Sequence, residues 1–155
     1  APFETVWLAY TELQPKEMWA GPRNKYKESY SKNDQEGFIR KEANAPYPME
    51  GMVYELKLKI IRFLKIPVNF EVTALSKEKK VIEFTYGANN KSKGKQTLTF
   101  VDMGNYTAVF HHTYFKSGNK LRDQRLYPIF HRKCLNEFHK NIMSHVTARG
   151  NYWVN

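Results

Sequence analysis

Two kinds of hydrophobic spacing divide the chain. Between Val53 and Phe115 apolar residues recur at every second position, and from Arg125 to Val146 they recur at intervals of three and four. In VYELKLKI, Tyr54, Leu56, Leu58 and Ile60 point one way while Glu55, Lys57 and Lys59 point the other, the pattern of a half-buried strand. VNFEVTAL repeats it with Val68, Phe70, Val72 and Ala74, and VIEFTYG with Ile82, Phe84 and Tyr86. Pro67 is expected to interrupt the ladder between the first two runs, because it has no N–H to donate. SKEKK supplies a charged turn and ANNKSKG reads as a hairpin loop. KQTLTFVDM is joined to YTAVFHHTYF by Gly104-Asn105, a two-residue connection of the kind that closes tight hairpins. On that last strand the even positions Phe110, His112 and Tyr114 are expected to face inward. At least five consecutive antiparallel strands are predicted.

The second spacing predicts one amphipathic helix over residues 125–146. On a helical wheel Tyr127, Cys134, Leu135, Phe138, Ile142 and Val146 gather on one side, with His131 at its centre. Arg132, Lys133, Asn136, Glu137, Lys140 and Ser144 occupy the other. Upstream the pattern is weaker. FETVWLAYTEL is rich in β-formers and reads as a first strand, or as a strand running into a helix. The proline- and charge-rich QPKEMWAGPRNKYKESYSKNDQEG suits short helices and loops better than strands, and Phe38 to Lys41 form a candidate short strand before the turn-rich ANAPYPMEG. A meander followed by one helix packs most simply as α+β: a curved antiparallel β-sheet wrapped around the long C-terminal helix, with short helices near the N-terminus. At 155 residues a single domain over 1–155 is expected.

Composition narrows the classes. An aromatic share of 15%, with 10 Tyr and 10 Phe, is too high for a disordered chain and suits a large core or a ring-lined cavity. No apolar run approaches the roughly 18 to 20 residues that cross a bilayer, so an integral span is not expected. Ala1 is followed by no charged-then-apolar leader, which fits a trimmed start or a leader already removed; a cytoplasmic location is the working expectation. Cys134 is the single cysteine, and its place on the apolar stripe reads as a buried, inert thiol. The formal charge of +10 is carried in RNKYK, KEKK, KSKGK and KSGNKLRDQR, mostly where turns fall. A solvated surface is the simpler reading of that charge, with nucleic acid or an anionic membrane surface as the less favoured partner.

From about Gly51 to Val146 the strand series GMVYELKLKI, VIEFTYG, GKQTLTFVDMGNYTAVFHHTYF and the closing YPIFHRKCLNEFHKNIMSHV resemble the START-like, or helix-grip, superfamily of pollen allergens, lipid-transfer domains and polyketide cyclases. The resemblance is one of layout, carried by no signature motif. It implies an elongated apolar cavity between sheet and helix that holds a lipid, steroid, polyketide or other small hydrophobic or aromatic molecule. From the sheet it would be lined by Leu56, Leu58, Phe70, Phe84, Tyr86, Phe100, Phe110, His112 and Tyr114, and from the helix by Tyr127, His131, Leu135, Phe138 and Ile142.

His131 then has two readings: a core histidine hydrogen-bonded internally, or a polar group set in a cavity to orient a ligand. His112, Tyr114 and His131 together are the candidates for proton transfer, which would make the protein a cyclase- or dehydratase-like enzyme and not a binder. His111 and His112 are adjacent on a strand and point to opposite faces, and the helix histidines lack the one-turn spacing of zinc sites, so no metal is expected. No nucleophile elbow, phosphate loop or dinucleotide fingerprint is present, and no cofactor is implied.

Overall fold

A computed structural model describes residues 1–31, 47–61, 64–86, 93–116 and 127–150. Helices α1 (Phe3–Glu12) and α2 (Pro15–Met18) precede strands β1 (Asn24–Ser31), β2 (Met52–Ile61), β3 (Leu64–Ser76), β4 (Val81–Tyr86), β5 (Lys93–Asp102) and β6 (Thr107–Lys116), and helix α3 (Tyr127–Gly150) follows. The strands form one curved, open antiparallel sheet in the order β1-β2-β3-β4-β5-β6. The architecture is the α+β helix-grip arrangement.

The alternation in β2 to β5 builds the inner face. Tyr54, Leu56, Phe70, Val72, Ile82, Phe84, Leu98 and Phe100 are all buried there. A bulge between Val72 and Ala74 shifts the parity of β3, so that Leu75 and not Ala74 packs against the core. Pro67 does not end its strand. It sits opposite Lys57 in a part of β3 beyond the stretch Phe70–Ser76 paired to β4, so its missing N–H faces no described neighbour.

Two expectations near the N-terminus change. FETVWLAYTE is helical throughout, because Phe3, Val6, Trp7 and Tyr10 fall at i, i+3, i+4 and i+7 and bury one face. NKYKESYS is a strand, although it buries only Asn24 and Ser29; its pairing with β2 decides the conformation, a tertiary term that local composition does not carry. Residues 38–41 and, of the expected hairpin loop ANNKSKG, residues 88–92 lie outside the described residues; its last two, Lys93 and Gly94, already belong to β5, with Gly94 paired to Tyr86 of β4.

Helices α1 and α2 lie between the sheet and part of α3. Trp7 and Tyr10 each meet Phe100 edge-on at 5.2 and 5.1 Å, and Trp19 meets Phe70 at 5.0 Å. Phe138 of α3 then stacks on Trp19 at 4.2 Å. The turn into β1 is tied to the same helix by polar groups. Glu137 accepts hydrogen bonds from the backbone N–H groups of Asn24 (2.8 Å) and Arg23 (3.1 Å), and the Asn24 amide donates to the Cys134 carbonyl at 2.8 Å. Asn141 donates to the carbonyls of Met18 and Ala20. The closing helix is therefore held by an aromatic stack on one side and by a polar latch on the other.

Candidate functional site

The space that the resemblance puts between sheet and helix is filled at its centre. Tyr10, Met18, Trp19, Tyr54, Phe84 and Phe138 converge on a void of about 10 Å³, at the lower edge of what one water molecule fills. The aromatic side chains of α1 and α2 occupy that volume. The larger opening is displaced to one side, where the N-terminal half of α3 stands off from edge strand β6. It is a cleft of about 520 Å³, lined among the described residues by His111, Thr113 and Phe115 from β6 and by Pro128, His131, Arg132, Leu135, Asn136 and His139 from α3. That volume lies in the range of small-molecule sites.

Hairpin geometry decides which side chains reach this cleft. Phe100 is opposite Val109 and Leu98 is opposite His111. Directly paired residues share a face of the sheet, so the buried Leu98 and Phe100 bring the odd positions of β6 inward. Phe110, His112 and Tyr114 consequently face solvent, with Phe110 51% and Tyr114 68% exposed. The expected inward face of β6 is thus corrected, and the grouping of His112 and Tyr114 with His131 does not form. Leu56, Phe70, Phe84, Phe100, Phe138 and Ile142 are packed in the core, and Leu58 and Tyr86 lie at its margin. Of the residues named from the sequence, His131 and Leu135 line the cleft; the side chain of Tyr127 lies outside the described set.

A chain of hydrogen bonds, most of whose members the sequence did not mark, runs along the cleft. The Tyr10 hydroxyl meets His139 Nδ1 at 2.6 Å, His139 Nε2 meets His111 Nδ1 at 2.9 Å, and His111 Nε2 meets Gln96 Oε1 at 2.8 Å. The Gln96 amide nitrogen reaches His131 Nε2 at 3.3 Å, with the Thr113 hydroxyl 3.5 Å from the same atom. With neutral rings and the Gln96 carbonyl turned to His111, one proton arrangement satisfies every link. The Gln96 carbonyl can only accept, so His111 carries its proton on Nε2; its Nδ1 then accepts from His139 Nε2–H, whose Nδ1 accepts from Tyr10. At the other end the Gln96 amide donates to an unprotonated His131 Nε2, which puts the His131 proton on Nδ1.

All three rings are neutral in this scheme, and their surroundings enforce it. Burial lowers His111 from 6.5 to about 3, helped by the neighbouring His139, His131 and His112, and burial alone lowers His131 and His139 to about 4. Burial likewise pushes the Tyr10 hydroxyl well above its ordinary range, which keeps it a donor. The cleft therefore offers fixed, uncharged hydrogen-bonding groups beside the apolar surface of Phe115, Pro128 and Leu135. Among the described residues no cluster of three His, Cys, Asp or Glu is arranged to hold a metal ion, and no helix is long and apolar enough to cross a membrane.

No protein-family model and no curated protein matches this chain. The NMR solution structure of KanY protein (ms6282) is similar to it, with a TM-score of 0.62 and 15% identity over 95% of this chain and 90% of that one. At that identity the likeness shows the fold: a helix-grip sheet with its closing helix.

Proposed function

We propose that the protein binds a small hydrophobic or aromatic molecule in the cleft between β6 and α3. The observation that carries this reading is the cleft itself, about 520 Å³ with Phe115, Pro128 and Leu135 beside Thr113, His131 and Asn136. Apolar walls supply affinity, and a few oriented polar groups fix the pose. Burying about 200 Å² of apolar ligand surface contributes about 5 kcal/mol before the cost of association, which corresponds to a dissociation constant of about 0.2 mM or weaker.

Binding is favoured over turnover by the protonation states. A cyclase or dehydratase needs a group that takes up a proton near neutrality, and an imidazole lowered to about 4 is a weak base. The test is fluorescence titration with N-phenyl-1-naphthylamine. The wild-type protein should bind it with a dissociation constant of roughly 0.1–1 mM, and Leu135→Trp, which fills the cleft from a half-buried position, should abolish binding while leaving the urea midpoint unchanged. Equal binding by both proteins, or none by the wild type, would overturn the proposal.

A further inference from the structure

The charge of the cleft says what kind of molecule it takes. No described lining residue is acidic, and Arg132 is its one permanently charged group, because the three imidazoles are committed to the neutral hydrogen-bonded chain that runs from Tyr10 to His131. Arg132 and Asn136 are one helical turn apart, so the guanidinium fork and the side-chain amide sit side by side along one wall. Arg132 is solvent-exposed on the wall of an open cleft, and with no carboxylate among the described lining residues it is best compensated by charge that the guest brings in.

Building on the ligand-binding reading above, we infer that the guest is an amphipathic monoanion, an aromatic or aliphatic carboxylate. Its acid group lies against Arg132 and Asn136, and its apolar body lies against Leu135, Pro128 and Phe115. A guanidinium presents two parallel N–H donors that match a carboxylate edge. Among the described lining residues there is one fixed positive charge, which suits one negative charge on the guest. Thr113 and His111 lie on β6, across the cleft from Arg132, and His131 and His139 lie on α3 with it; all are uncharged and do not compete for the acid group.

The experiment compares two molecules of nearly the same shape, 1-naphthylacetate and 2-(1-naphthyl)ethanol, by isothermal titration at pH 7.5. Salt is held at about 0.15 M so that the long-range field of the basic chain is screened. The wild-type protein should prefer the acid by about tenfold or more. Arg132→Gln should remove that preference while keeping affinity for the alcohol, and Arg132→Lys should restore part of it. Lys133→Gln makes the same charge change at a neighbouring position that does not line the cleft and should leave the preference intact. Equal affinity of the wild type for acid and alcohol would overturn the carboxylate assignment and leave the cleft as a neutral ligand site. So would a loss of preference in Lys133→Gln as large as that in Arg132→Gln. Failure of the wild type to bind either compound would overturn the ligand-binding reading itself.

Discussion

Acidification tests the three neutral imidazoles most directly. His111, His131 and His139 have folded-state values of about 3, 4 and 4, below the ordinary 6.5. The unfolded chain therefore takes up protons that the folded chain refuses. Stability is complete above pH ~6.5, falls as the pH drops below it, and stops falling once the folded-state values are passed. Each fully refused proton costs about 1.4 kcal/mol per pH unit in that window, so three give a ceiling of about 4 kcal/mol per unit. His131 is only partly buried and the cleft admits water, so roughly half of that ceiling is the expected slope. By pH 5 to 4 this removes about 3 to 5 kcal/mol, a large part of the ~5–15 kcal/mol that holds a domain folded. Urea midpoints at pH 7.5, 6.0 and 5.0 measure the slope above the range where carboxylates titrate, and ¹⁵N-detected imidazole signals follow the rings individually. Equal midpoints at pH 7.5 and 5.0, or any of the three rings titrating near 6.5 in the folded protein, would refute the reasoning.

Four further outcomes follow from named contacts. Gln96→Glu leaves an acceptor for His111 but no donor for His131 Nε2, so His131 should move its proton to Nε2 or rise well above 4, visible as a changed tautomer pattern in ¹⁵N spectra; an unchanged ring would contradict the assigned chain. Glu137→Ala removes the acceptor of the Asn24 and Arg23 backbone N–H groups and should cost about 2–3 kcal/mol in urea unfolding; Gly21→Ala, whose new methyl would collide with the same carboxyl group, should also destabilise. Cys134 is 6% exposed, and burial, reinforced by the Glu137 charge, raises its thiol to about 11; its alkylation by iodoacetamide should track global unfolding, and rapid labelling of the native protein would show the site is open.

The sheet was legible because β2 to β5 bury one face only, and a period of two survives every change of residue type on that face. The site was less legible, and the reason lies in β6. Both faces of YTAVFHHTYF carry rings and a histidine: Phe110, His112 and Tyr114 on one, and Val109, His111 and Phe115 on the other. Hydrophobicity alone cannot rank two such faces, and the more aromatic one turns out to be solvent-facing. The hairpin settles it. A two-residue turn at Gly104-Asn105 pairs Met103 with Tyr106, and counting outward pairs Phe100 with Val109 and Leu98 with His111. Since Leu98 and Phe100 alternate with polar neighbours, their face is the buried one, and His111 follows them inward. The register of one turn, carried along the ladder, was therefore the signal that places a histidine opposite α3. Gln96 lies on that same face two residues before Leu98, where a polar residue looks like the fraying end of a strand; only the approach of His131 and His111 from two other elements gives it a role. Tyr10 and His139 are further removed still, joined across 129 positions of sequence by a single hydrogen bond. Local pattern reaches the elements and turn register reaches the faces, but the proton order of this chain depends on four elements meeting, which no one stretch encodes.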